Sequence, residues 1–398
     1  MLTSLAILFL CGFSVAEIFR RLKLPRVVGM LLSGIILGPF VLDLLDPTLL
    51  GISAELRKIA LIIILIKAGL SLDIKDLKKV GRPAVLLSFL PAVFEIIACV
   101  IFAPIFLEVS RTEAALIGAV LGAVSPAVVV PKMVQLMDNK IGTDKAIPQL
   151  ILAGASLDDV FVIVLFTAFL GMVQGNGISA IQFADIPVSI ILGTLAGVLC
   201  GFLIYFIYRL SDKLGNGIRN TVLVIVILSF GFLLNTLEAA TEKYVAISGM
   251  LAVISMALII KIKIDDIRVK KLAESYGNIW IAAEVILFVL IGAAVNIKYT
   301  FGAGGKALVL ILTVLIFRSA GVVISLIGTE LNFKERLFCV IAYLPKATVQ
   351  AAIGGVPLAL GLDCGEIVLS VAVLSILITA PLGAIGMDLT DKKLLNKC

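Results

Sequence analysis

The sequence predicts an all-α, multi-pass membrane protein with about thirteen spanning helices, two of them interrupted, arranged as inverted repeats. Three observations carry that expectation. Of 398 residues, 61% are hydrophobic and 15% charged, with a mean hydropathy of +1.18, whereas soluble domains are roughly 45–50% apolar and about 25% charged. Apolar runs of spanning length recur along the whole chain. Two of these runs carry prolines at mid-span, at matching places in the two halves.

The runs cover 1–19, 24–42, 56–72, 84–107, 113–137, 146–174, 186–210, 219–236, 244–261, 278–296, 305–328, 337–361 and 366–388. The first lacks a basic leader and a small-residue exit, and Glu17, Arg20 and Arg21 follow it closely. It reads as a retained span and not a cleaved signal peptide. Basic residues crowd alternate connections: Arg20, Arg21, Lys23 and Arg26, then Lys75, Lys78, Lys79 and Arg82, then Lys140 and Lys145. Arg209, Lys213 and Arg219, the group from Lys261 to Lys271, Lys334 with Arg336, and the tail lysines continue the alternation. The positive-inside rule then places the N-terminus outside and the C-terminus in the cytoplasm of a cell membrane. Arg57 and Lys58, just past the second connection, run against the pattern.

The net charge of +6 is spread over these loops, so it reads as topology and not as nucleic-acid binding. The six cysteines have no paired spacing and lie mostly in apolar runs, as small buried hydrophobes do. Histidine is absent. Proton chemistry near neutrality therefore falls to carboxylates or lysines.

The first interrupted run, "GAVLGAVSPAVVVPKMVQL", carries Pro126 and Pro131; the second, "IAYLPKATVQAAIGGVPLAL", carries Pro345. Proline removes a backbone donor and crowds the preceding turn, and in lipid the freed groups are tolerated where they line a cavity. Pro126 and Pro345 lie 219 positions apart, while Glu95 and Arg318, each in the span before its interrupted run, lie 223 apart. Each half (84–174 and 305–388) thus reads as a helix with one buried charge, an interrupted helix and a further helix. Paired interruptions of this kind point to a binding site near the midplane.

In the first half that further helix bears Asp158 and Asp159, side by side in "AGASLDDVFVIVLF". An aspartate at a helix centre costs about 2.5–3.5 kcal/mol on insertion scales. Neighbours on a helix point about 100° apart, so two acids here require a cavity or an interface. Burial and a second nearby negative charge let such a pair hold a proton and exchange it for a hard cation. Ser125 and Ser156 are candidate oxygen donors beside the pair, each equally readable as a serine facing a neighbouring helix. Glu95 and Arg318 read as mates that brace the core. Lys346 is placed either to neutralise half-helix carbonyl ends or to pair with an aspartate. Lys67, near the end of its span, reads as snorkelling to the interface.

These residues resemble the monovalent cation:proton antiporter superfamily, in its branch with a paired Asp-Asp. "GASLDDV" is similar to that branch's ion-site motif and "AVSPAVVVP" to its first unwound helix, while "ILIKAGLSLD" and "LPKATVQAAIG" resemble sodium/proton exchangers with animal relatives. The resemblance covers nearly the whole chain, read as one exchanger domain over 1–398. It implies a core ion-transport domain beside a dimerisation domain, a homodimer, and an elevator-like movement of the core. It also implies Asp159 as principal carboxylate for Na⁺ or Li⁺ and for the proton, Asp158 as its neighbour, and Glu95 with Arg318 as the core salt bridge. Many bacterial members carry a lysine where Arg318 sits; arginine does not deprotonate, so a proton-coupling role for that position does not transfer. No cofactor is expected.

Two other classes fit the sequence less well. A sodium-coupled symporter of an organic anion would want polar or cationic side chains lining a larger cavity, but this core is rich in Ala, Val, Gly and Ile. A membrane enzyme would want a nucleophile–base pair or metal ligands near one leaflet, and the sequence offers no such set. The expected activity is transport, not catalysis.

Overall fold

The fold is that of a computed structural model, which describes residues 1–71, 81–175, 180–213, 217–241 and 247–397. Lys75, Lys78, Lys79, Cys398 and the side chain of Ser156 lie outside the described residues. In chain order the described helices are α1 (Leu2–Arg21), α2 (Arg26–Leu37), α3 (Pro47–Gly51), α4 (Ser53–Ser71), α5 (Arg82–Leu87) and α6 (Leu90–Leu107). There follow α7 (Arg111–Gly122), α8 (Pro126–Asp138), α9 (Ile147–Gln174), α10 (Ala180–Lys213), α11 (Asn220–Thr241) and α12 (Gly249–Lys263). The series closes with α13 (Asp266–Ala293), α14 (Ile297–Ser325), α15 (Phe333–Ala342), α16 (Thr348–Gly354), α17 (Val356–Ala359) and α18 (Gly365–Leu394).

Among the described residues, 7 helices are long and apolar enough to cross a membrane, fewer than the apolar runs of the sequence. Three of the runs are divided or stop early. The run 113–137 becomes α7 and α8, the run 337–361 becomes α15, α16 and α17, and α2 ends at Leu37 where Gly38 turns extended. Pro131, expected to interrupt its run, lies inside α8, which continues through it. Pro104 and Pro381 likewise sit inside α6 and α18. A mid-helix proline removes one hydrogen bond and bends the helix, and that alone does not unwind it here.

The chain divides into two compact units. One comprises the described residues of Glu55–Leu72 and Gln174–Glu284. Within it Gly193 and Gly197, four positions apart on α10, press against α12 and its cap: a Cβ at Gly193 would lie 2.5 Å from the Ser248 carbonyl oxygen, and one at Gly197 would overlap the carbonyl of Ala252. Small residues at this spacing let membrane helices pack backbone to backbone. Lys67 on α4 is half-buried and interacts electrostatically with Glu284 in the same unit.

The other unit comprises the described residues of Met1–Ala54, Asp73–Val173 and Val285–Cys398, and it contains every sequence-predicted site residue. Helices α6 and α14 lie against each other, with Gly321 at Pro91, Arg318 at Glu95 and Lys306 at Glu108. Rising numbers on one match falling numbers on the other, so the pair is antiparallel. A buried apolar cluster that includes Val124, Val129, Ile151, Phe338 and Tyr343 joins both interrupted runs to α9. The cysteines of the described residues are free.

Candidate ion-binding site

The site begins with two interruptions that proline dictates. A residue before proline is disfavoured in the α conformation, and Ser125 is extended at φ −86°, ψ 111°. Pro126 then opens α8 at a position where its missing N–H is not needed. Ala123, just past α7, is extended as well at φ −81°, ψ 147°. In the second run α15 ends at Ala342, residues 343–347 around Pro345 are not helical, and α16 resumes at Thr348. The two unwound segments touch, the Ser125 N–H donating to the Pro345 carbonyl at 2.8 Å.

Unwinding frees peptide groups that need partners away from water. The carbonyls of Leu121, Gly122 and Ala123 are met in turn by Lys346 Nζ, Arg318 Nη1 and Gln350 Nε2, the last at 2.8 Å. Two of these three donors are cations, the sign favoured at a helix C-terminus. The Val124 N–H donates to Asp158 Oδ2 at 2.7 Å. Arg318 Nε donates to the Tyr343 carbonyl at 2.7 Å. One guanidinium therefore serves the ends of both α7 and α15.

Four ionisable side chains meet at this crossing, and Asp159 adjoins one of them in the chain. Glu95 is 2.7 Å from Arg318 and 2.7 Å from Lys346. The Lys346 ammonium faces both oxygens of Glu95, and its 2.9 Å contact to Oε2 has hydrogen-bond geometry. Arg318 Nη2 lies 3.4 Å from Asp158 Oδ2. Glu95, Asp158, Arg318 and Lys346 are all 0% exposed, while Asp159 is partly exposed. The buried Oδ1 atoms of Asp158 and Asp159 and the Ser125 hydroxyl have no hydrogen-bond partner among the described residues.

With every group ionised, three carboxylates face two cations. Both cations engage Glu95 and one of them reaches Asp158, so Asp159 is the odd carboxylate. Fully ionised, these five groups carry one net negative charge, which a single monovalent cation or a single proton would neutralise.

The structure thus brings together Glu95, Asp158, Arg318 and Lys346, with the backbone of Ser125 between the interruptions. Lys346 meets the carbonyl end of α7, and its ion pair is with Glu95 and not with an aspartate. Pro126 and Pro345 stand at the interruptions and Pro131 does not. Sequence reasoning missed Gln350 and Tyr343. The signal for Gln350 was present, as an uncharged polar side chain inside the apolar stretch "TVQAAIGG".

Residues 5–388 match the family model described as sodium/hydrogen exchanger, transmembrane. The chain belongs to the sodium/hydrogen exchanger family. This exchanger is 32% identical to sodium/hydrogen exchanger 9B2 of Mus musculus, over 100% of this chain and 74% of the relative. It is 34% identical to the 9B2 protein of Xenopus tropicalis, over 99% and 74% of the two chains. Its fold is similar to that of the sodium proton antiporter MjNhaP1 from Methanocaldococcus jannaschii, with a TM-score of 0.82, 22% identity, and coverage of 99% of this chain and 98% of that one. These matches lend no support to the symporter alternative.

Proposed function

We propose that this exchanger moves Na⁺ or Li⁺ in one direction and H⁺ in the other across a cell membrane, with cation and proton competing for Asp159 and Asp158. The observation that carries the reading is the charge count: three carboxylates and two fixed cations leave a single negative charge. Asp159 is its seat, being partly exposed with an unpartnered oxygen. Asp158, held by Arg318 and the Val124 N–H, is the supporting carboxylate. Serine hydroxyls and unwound backbone suit a hard, oxygen-seeking ion; Ser125 supplies one such hydroxyl, and Ser156 is a second candidate from its place in the sequence.

The same reading takes 84–174 and 305–388 as the two inverted halves of the core and the protein as a homodimer whose core shifts to give alternating access. It places the N-terminus outside and the C-terminus in the cytoplasm, on the alternation of basic loops in the sequence. The test is a pH-gradient dequenching assay in proteoliposomes with Na⁺, Li⁺ and K⁺ added in turn. Collapse of the gradient on adding Na⁺ or Li⁺ is expected. No response to any alkali cation between about pH 6 and 9, a range that spans neutrality on both sides, would refute the reading.

A further inference from the structure

We propose that Gln350 is a positioning residue of the cation site, holding Asp158 in place through the one peptide group that joins Ala123 to Val124. The inference rests on the exchange reading above.

A peptide unit is planar and rigid, with its C=O and N–H pointing to opposite sides. The Ala123 carbonyl and the Val124 N–H belong to the same unit. On one side Gln350 Nε2 donates to the carbonyl at 2.8 Å; on the other the N–H donates to Asp158 Oδ2 at 2.7 Å. This peptide lies in the gap between α7 and α8, so no continuous helix fixes its orientation. A rotation large enough to release Gln350 also withdraws the N–H from Asp158.

The opposite orientation is not a comfortable alternative. Val124 is not among the residues with positive φ, and reversing the peptide would drive its φ into that region, where a β-branched side chain is a genuine outlier. The peptide therefore has one relaxed setting, and Gln350 is the side chain that grips it from the side away from Asp158. Gln350 itself is 0% exposed, and its Nε2 lies 3.4 Å from the Leu121 carbonyl as well. Turning the amide over would set Oε1 against two carbonyl oxygens, so the side chain has one sensible orientation. Asp158 is gripped from this peptide and from Arg318 at once. A fixed Asp158 leaves Asp159 as the carboxylate free to meet the ion.

The test uses full-length protein and two substitutions. Gln350→Met keeps the length of the side chain and removes its donor. Gln350→Asn keeps the amide and withdraws it by one methylene. Half-saturating sodium is measured twice, by sodium-dependent thermal stabilisation in detergent and by exchange in proteoliposomes. Gln350→Met is expected to raise it about tenfold with the maximal rate within about twofold, and Gln350→Asn to fall between. A side chain that merely fills space would lower the melting temperature or the maximal rate and leave half-saturation unmoved; that result overturns the proposal. If Gln350→Met does not fold, unchanged half-saturation in Gln350→Asn overturns it equally. Absence of any sodium response in the unmodified protein would instead defeat the exchange reading, and this proposal with it.

Discussion

Glu95 and Arg318, 223 residues apart in sequence, meet at 2.7 Å with neither side chain exposed to solvent. Lys346 joins them on the Glu95 side at 2.7 Å, so one carboxylate holds two buried cations. Breaking a buried pair by removing one partner costs about 3–5 kcal/mol, because the other charge is stranded. Glu95→Gln strands Lys346 and leaves Arg318 with Asp158 as its remaining carboxylate, while Arg318→Ala leaves Asp158 and two buried carbonyls without their donor; a loss in that range is expected of each. Pairing Glu95→Gln with Lys346→Met should recover part of the loss, with a coupling of at least about 1 kcal/mol. Melting temperatures of the detergent-solubilised variants measure this. Strictly additive losses would mean that Glu95 and Lys346 do not share a site.

Arg318→Lys tests a different property of the same position. The guanidinium reaches Glu95, the Gly122 carbonyl, Asp158 and the Tyr343 carbonyl, which stand on four separate segments. A lysine ammonium carries three donors at one point and cannot span them. At least one buried carbonyl is left without its partner, costing about 1–3 kcal/mol. The positive charge remains, so a lower melting temperature with exchange retained is the expected outcome. Melting unchanged from the parent protein would show that the fork geometry is dispensable.

Much of this arrangement was legible in the sequence because lipid makes buried charge expensive. Glu95, Asp158, Arg318 and Lys346 each stood out in an apolar run, and a charge there needs a mate. The interruptions were legible through Pro126 and Pro345, since the residue before the ring is disfavoured in the helical conformation. Pro131 was not separable from them by composition. Inside α8 it loses a single hydrogen bond and the helix persists, as also happens at Pro104 and Pro381. The partners of Arg318 and Gln350 were the least legible part. They are mainly backbone carbonyls, which every residue carries, so only the fold reveals that 121, 122 and 123 present theirs to the buried cluster.

Gly154 lies one turn before Asp158 on α9, and a Cβ there would collide with the Tyr343 hydroxyl and lie 2.9 Å from Leu87 Cβ. The Tyr343 ring is buried, its carbonyl holds Arg318, and the guanidinium carbon sits 5.8 Å from the ring centroid. Gly154→Ala should therefore push on the residue that positions Arg318. The helix gains roughly 1 kcal/mol of propensity from the substitution, but overpacking costs about 1–3 kcal/mol. A net loss of stability and slower exchange are expected, measured by thermal shift and by dequenching. A stabilised, fully active Gly154→Ala would mean the ring moves aside freely.

The two aspartates should separate stability from transport. Asp159→Asn removes the odd negative charge, leaving two carboxylates and two cations around the crossing. A cation then finds no charge to neutralise, and exchange should be abolished. The fold loses no ion pair, since Asp159 makes none of those described, and a carboxylate oxygen without a partner no longer carries charge. Its melting temperature should stay level or rise. Asp158→Asn removes a carboxylate that answers Arg318 at 3.4 Å and takes the Val124 N–H at 2.7 Å. The amide oxygen can still accept that N–H, but it no longer answers the guanidinium. Glu95 and Asp159 are then the carboxylates left to balance two cations, so exchange should be impaired and the melting temperature lowered. The measurement is thermal shift beside proteoliposome exchange for both variants. Near-normal exchange by Asp159→Asn would sink its assignment as the seat of the ion, and a melting temperature lower in Asp159→Asn than in Asp158→Asn would reverse the roles given to the pair.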